Sequence, residues 1–241
     1  GLGGRRCAGF AAPGRPCADP AAGGPVIQAA NVRARGGGAT TDKIPETARR
    51  IRTRVDTPLA FMTYANVVYS YGIERFAEAA ASAGVDGLIL PDVPFEEKEE
   101  FAVPCRRHGV EVVSLIAPTS HERIATIARE AEGFVYCVSS LGVTGVRGAI
   151  TTDVGAMVRL VKREKDIPCA VGFGISTPEQ AASMASQSDG AIVGSAIVKL
   201  CEKYGEGGGP HGARHVSESA EAVHGAEMLR ATTQTAPRAG R

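Results

Sequence analysis

PCAVGFGISTPEQAASMASQSDGAIVGSAIV, from Pro168 to Val198, runs through one pattern twice. An apolar run (CAVGFGI, Cys169 to Ile175) turns at glycines into a helical segment, STPEQAASMA. A second apolar run (GAIVGSAIV, Gly190 to Val198) then turns at Gly194 and Ser195 into another helix. In the first helical segment Ser176 reads as the cap, Pro178 stands in the first turn, and Glu179 ends an S-x-x-E capping box. Strands alternating with such helices imply crossover connections and a parallel sheet.

The same unit recurs upstream. PLAFMTY (Pro58 to Tyr64), GLILPDV (Gly87 to Val93), VEVVSLIAP (Val110 to Pro118) and GFVYCVS (Gly133 to Ser139) are further apolar runs. All are apolar on both faces rather than alternating, as strands are when helices cover one side and a barrel interior the other. Between them, IERFAEAAASAG places Ile73, Phe76, Ala80 and Ala83 at helical spacing, with Gly84 as C-terminal cap. TSHERIATIARE opens on Thr119 and Ser120 and sets Ile124, Ile127 and Ala128 on one side. TDKIPETARRIRTR reads as a helix capped near Thr41 or Asp42. Six βα units with no reversal signal predict an α/β fold, a (β/α)8 TIM barrel, with its first strand missing and its second degenerate.

The upstream end explains that qualification. Of the first 24 residues, 19 are Gly, Ala, Arg or Pro, which leaves no apolar strand longer than GFAA. The expected organisation is a degenerate segment over 1–18, a single barrel domain over 19–230 and a disordered tail over 231–241. GEGGGPHGAR reads as a linker before a last amphipathic helix, HVSESAEAVHGAEML. The chain begins with Gly rather than Met, which suggests a fragment or a processed product.

At 241 residues with 44% hydrophobic and 22% charged content, the chain can bury a sizeable core. A net charge of +1 argues against a nucleic-acid footprint or a polybasic membrane surface. No apolar run approaches the ~20 residues that span a bilayer. Six cysteines are spread without a C-x-x-C pair, so neither a disulfide scaffold nor a zinc site is expected, and a cytoplasmic location is. Cys137 and Cys169 lie inside apolar runs, as small buried hydrophobes do.

In a barrel the chemistry gathers at the strand C-termini. GFGIST (Gly172 to Thr177) offers backbone N–H groups, and Gly194 and Ser195 open a helix whose unsatisfied N–H groups and dipole attract an anion. Two such turns on the last two strands predict a phosphate site, against the plainer reading of two strand-to-helix turns. SSLGVTGVRGAITTD (Ser139 to Asp153) reads as a lid, with Thr144 and Gly145 placed to close over a substrate. Tyr64, Asn66 and Asp92 stand at other strand ends; Asp92 is read as a helix cap, with a pocket acid as the alternative. The five histidines read as solvated or capping.

DGLILPDVPFEEKEEF, IAPTSHERIATIAREAEGFVY, VSSLGVTGVRG and the Pro168–Val198 stretch together closely resemble the tryptophan synthase alpha subunit family, without a break from about Asp19 to Tyr204. DPAAGGPVIQAA resembles the family's loop after the second strand. The resemblance implies a (β/α)8 barrel that cleaves indole-3-glycerol phosphate to indole and glyceraldehyde 3-phosphate by a retro-aldol step. It implies no metal and no organic cofactor in this chain, and an alpha2beta2 assembly with a pyridoxal-phosphate-dependent beta subunit. The implied phosphate residues are Gly145, Phe173, Gly174, Gly194 and Ser195. Tyr64, Tyr136 and Thr144 would line the pocket or its lid, and Asp19 and Pro20 would face the beta subunit.

The resemblance also locates a departure. The family uses a Glu on the second strand as shuttling acid/base and an Asp in the next loop to hold the indole N–H. Aligned on Asp19-Pro20, those positions fall on Ala12 and Gly23, and no Glu occurs before Glu46. Loss of a positioned general base costs ~10²–10⁴-fold per group, which implies a chain close to inactive. The abrupt change of composition before Asp19 fits a truncated or misread gene start. Two other readings follow: a barrel that docks on the beta subunit and modulates it without catalysis, and a phosphate-binding enzyme that recruits another acid, Asp92 first. A barrel without its first two strands would also leave two strand edges unpaired, an aggregation liability.

Overall fold

The computed structural model describes residues 24–40, 42–139, 153–172, 174–205 and 208–235. The segment read as missing and degenerate strands lies outside these residues, as do Ala12, Asp19, Pro20, Gly23, Thr144, Gly145 and Phe173.

Two helices lead in, α1 (Pro25–Gly36) and α2 (Lys43–Arg52). Then come β1 (Ala60–Met62), α3 (Ala65–Tyr71), α4 (Ile73–Ser82), β2 (Gly87–Ile89), a 3-10 turn at Phe95–Glu97, and α5 (Lys98–Arg107). The second half runs β3 (Glu111–Val112), β4 (Ser114–Ile116), α6 (His121–Glu130), β5 (Val135–Val138), α7 (Val154–Glu164), β6 (Cys169–Gly172), α8 (Pro178–Ala185), β7 (Gly190–Ala191), α9 (Ser195–Tyr204) and α10 (Gly208–Thr235). All strand pairs are parallel, in two sheets ordered β1-β2-β3 and β4-β5-β6-β7.

The two-faced strands follow from the packing. Successive side chains point to opposite faces of a strand. Ala60, Ile89, Val113 and Tyr136 meet in one inner cluster, with Met62, Leu115, Phe134, Val138 and Ile192 packed on it. The intervening residues point outward to the helices. Phe61, Leu88 and Val112 join α2 to α5 in one cluster, and Ile116, Val135, Cys137 and Val171 join α6 to α8 in another. An inner apolar column with helices outside is barrel packing.

VEVVSLIAP, expected as one strand, is split at Val113. Its first half pairs β2 and its second half pairs β5, so the run joins the two sheets. The inward–outward alternation passes through the break undisturbed, and Val113 N still donates to Leu88 O at 2.9 Å. Outside this seam the buried Lys98 donates to Ser114 Oγ at 2.9 Å. Burial lowers the pKa of that ammonium, against neighbouring carboxylates led by Glu132.

Helix ends follow the sequence signals closely. Gly84 (φ 76°) stops α4 as expected, with Val85 N bonded to Ala80 O and Gly84 N to Ala81 O, a Schellman motif. Gly109 (φ 73°) ends α5 the same way, through Val110 N to Cys105 O. Ser120 caps α6 by accepting from Arg123 N, and Ile124, Ile127 and Ala128 are buried. At α8 the cap is Thr177 rather than Ser176. Its side chain accepts from Gln180 N, while Gln180 Oε1 reaches back to Ser176 N and Oγ. Pro178 at the first helical position sets the start one residue later than expected.

The C-terminal reading is corrected more. α10 starts at Gly208 and continues to Thr235, taking in much of the expected linker and the first residues of the expected tail. It packs on α8 and α9. Gly212 is buried, and a side chain there would meet Ile197 Cγ2 at 3.3 Å, so this glycine permits helix contact rather than breaking the helix. Tyr204 and His211 stack with ring centroids 3.7 Å apart across the α9–α10 turn. Pro210 falls in the first turn, where a missing N–H costs nothing.

Candidate active site

The C-terminal ends of the parallel strands form one rim, and the expected site residues within the described segments gather there. Tyr64 follows β1 and is 9% exposed, Tyr136 lies within β5 at 4%, and Gly194 and Ser195 follow β7.

Asp92, two residues beyond the buried Leu90 that follows β2, settles its own reading. Both carboxylate oxygens accept from Ala65 N, at 3.1 and 3.0 Å, closing the first turn of α3. It is a cap, exposed, and it caps the neighbouring unit's helix rather than the one following β2. This bond fixes the turn that carries Tyr64 and Asn66. Beside Tyr64 the buried hydroxyl of Thr63 has no hydrogen-bond partner among the described residues.

Tyr136 points into the barrel interior. A side chain at Gly172 on the adjacent strand would overlap the Tyr136 phenol, so glycine there is what admits the ring. Burial pushes the phenol's pKa upward, so it stays neutral and can act as a hydrogen-bond group without carrying charge. Ser139 N donates to Gly172 O at 3.0 Å and holds the ends of β5 and β6 together.

Gly174 follows β6 with φ 84°, a backbone state that orients N–H groups as an ordinary residue would not. One strand over, Gly194 precedes α9 with no side-chain cap and nothing within 4 Å of where a Cβ would stand. The first bonded amides of α9 are Ile197 N and Val198 N, both to Gly194 O, which leaves those of Ser195 and Ala196 without backbone acceptors among the described residues. The two preceding helices close their own N-termini with side chains, Asp153 on Ala156 N and Thr177 on Gln180 N. The open, dipole-positive end of α9, next to the Gly174 turn, is suited to an anion.

No sequence reading foresaw how these strands are anchored at their other ends. Asp86 Oδ2 accepts from Leu59 N (2.8 Å) and Arg52 Nη2 (2.6 Å), joining α2, β1 and β2. Asp189 Oδ2 accepts from Cys169 N (2.7 Å) and pairs with Lys162 Nζ (2.8 Å), joining α7, β6 and β7. The signal was present as an Asp-Gly pair, Asp86-Gly87 and Asp189-Gly190, opening each of these strands. His108 meets Glu74 at 3.0 Å and His211 stacks on Tyr204, both away from the rim, whereas His215, expected to be solvated or capping, has its Nε2 buried with no hydrogen-bond partner among the described residues. Among the described residues no His/Cys/Asp/Glu group could hold a metal. Cys105, Cys137 and Cys169 are free and buried.

Fold and rim define a parallel α/β barrel protein with an apolar interior and an uncapped helix start at the mouth. The family model for the tryptophan synthase alpha chain matches residues 11–232. The tryptophan synthase alpha chain of Geobacter sulfurreducens is 48% identical over 192 residues, 79% of this chain and 73% of that protein. The crystal structure of tryptophan synthase subunit alpha from Legionella pneumophila superposes with a TM-score of 0.81 at 34% identity, covering 90% of this chain and 82% of that one. A Pyrococcus furiosus tryptophan synthase a2b2 structure gives a TM-score of 0.78 at 32% identity over 87% of this chain and 85% of its own. The chain belongs to the tryptophan synthase alpha chain family. Among the described residues no helix is long and apolar enough to cross a membrane.

Proposed function

We propose that this chain binds indole-3-glycerol phosphate and cleaves it by a retro-aldol step to indole and glyceraldehyde 3-phosphate. The observation that carries the reading is the uncapped start of α9 at Gly194–Ser195, beside the Gly174 turn, in a chain of this family. The phosphate is assigned to those three residues together with Gly145 and Phe173. The indole ring is assigned to the apolar interior beside Tyr64 and Tyr136, with Thr144 in the lid. The cleavage needs proton transfers at the ring carbon and side-chain hydroxyl and no redox step, so the chain is proposed to work without metal or organic cofactor.

The proton-transfer groups set the rate. With Ala12 and Gly23 at the aligned acid positions, turnover is expected to be reduced by ~10²–10⁴-fold for each missing group. The Pyrococcus furiosus relative is described as an a2b2 complex. By extension, the proposed partner is a pyridoxal-phosphate-dependent beta subunit met through Asp19 and Pro20, in an alpha2beta2 assembly. The absence of any Glu before Glu46 supports a second reading, a chain that binds substrate and modulates the beta subunit with little cleavage of its own. Indole release from indole-3-glycerol phosphate separates the two. Measurable, substrate-saturable indole formation is expected; stimulation of beta-subunit turnover with no indole formed would establish the second reading instead.

A further inference from the structure

We infer that the groove between α7 and the turn joining α8 to β7 is a second anion site, built for a small phosphate-bearing molecule. The groove has a volume of about 520 Å³ and is lined by Gly155, Arg159, Lys162, Arg163, Gln187 and Asp189, with Val158 and two turn serines completing it. That volume is in the range of small-ligand sites.

Three cations lie along one stripe of α7, at positions 159, 162 and 163. Lys162 is matched by Asp189 at 2.8 Å, and Asp189 is itself held by Cys169 N. The other acids nearby are engaged. Asp153 caps Ala156 N at 2.8 Å, Glu164 pairs with Arg129 at 2.8 Å, and Asp166 stands 3.9 Å from Lys162. Arg159 and Arg163 are exposed and have no ion pair among the described residues. The groove therefore carries two unmatched guanidinium forks, whose geometry suits phosphate oxygens.

A plainer role accounts for part of this stripe. Lys162 and Arg163 fall in the last turn of α7, where cations offset the helix dipole. Arg159 is a turn further back, beyond that effect, and its guanidinium lies close to Gly155. Gly155 is buried, and a Cβ there would come within 3.0 Å of both Arg159 Nη1 and Gln187 Oε1. Glycine at this position lets the guanidinium lie against the helix and face the groove. The groove sits at the Asp189 end of β7, while Ser195 lies past its other end, so this site is separate from the one assigned to the substrate phosphate.

Amide NMR during titration with inorganic phosphate and with pyrophosphate tests the inference on the full chain. The Gly155, Gln187 and Asp189 amides are expected to shift saturably. Arg159→Ala/Arg163→Ala should weaken that response by roughly tenfold or more while leaving any shift at Ser195 unchanged. Both changes are at exposed positions, and an unaltered spectrum elsewhere verifies the fold. Silence at Gly155 and Gln187, or an equal response in the double variant, overturns the site.

Discussion

Gly172 and Tyr136 show how one missing methyl shapes the interior. The phenol occupies the space a Cβ at Gly172 would need, so Gly172→Ala forces the ring or the strand to shift. Overpacking of this kind costs about 1–3 kcal/mol, read as a lowered melting temperature. Tyr136→Phe removes the oxygen, and the double variant should be less destabilised than the sum of the two single changes. Additive losses would show that the two positions do not press on each other. Cys105, fully buried in α5, makes a different prediction. Burial holds its thiol up at about 11, against 9.0 when solvated. A raised value favours the protonated folded state, so this contribution is complete below pH 9 and is lost as pH rises towards about 11, by at most about 1.4 kcal/mol per pH unit. Urea melts of Cys105→Ala should lack this share of the alkaline decline; parallel curves for the two proteins would contradict the assignment.

Among the elements, α2 packs its apolar face on the sheet cluster and is also hydrogen-bonded to the strand ends through Arg52. Arg52 donates to Gly84 O at 2.6 and 3.0 Å, to Thr57 O at 2.9 Å and to Asp86 at 2.6 Å, and a Cβ at Gly84 would nearly touch its aliphatic stem. Removing a donor to several carbonyls leaves them unsatisfied, so Arg52→Ala should cost about 2–3 kcal/mol in denaturant unfolding. Arg49, whose contact with Glu46 is 3.5 Å and exposed, should lose under about 0.5 kcal/mol on the same change. Equal losses would mean that Arg52 is merely another surface charge. The Asp-Gly pairs that anchor β2 and β7 were legible only in retrospect, because a turn signal does not reveal which distant amide its carboxylate will bind. Helix starts were more readable, since capping is local: Ser120 stands as expected, and α8 was misplaced by one residue because Pro178 claims the first helical position.

For the whole molecule, the barrel was readable because most of the described strands are covered on both sides, which writes continuous apolar runs into the sequence. What was not readable depends on contacts distant in the chain. No glycine or proline marks the break at Val113, where the ladder changes sheets while the side-chain alternation continues. The glycine-rich run into α10 looked like a linker, and only the closeness of Ile197 to Gly212 shows that this glycine serves packing, while Gly205 and Gly209 would meet nothing within 4 Å. At the site, glycine turns and the start of α9 were visible as motifs, but Asp92's double bond to Ala65 N required the neighbouring unit in place. The central claim is that the start of α9 holds the phosphate of indole-3-glycerol phosphate. Calorimetric titration of that substrate into the wild-type chain and into Ser195→Asp tests it most directly. Saturable one-to-one binding that is abolished by the added carboxylate is predicted; equal affinity in the two proteins, or no binding to the wild type, would contradict it.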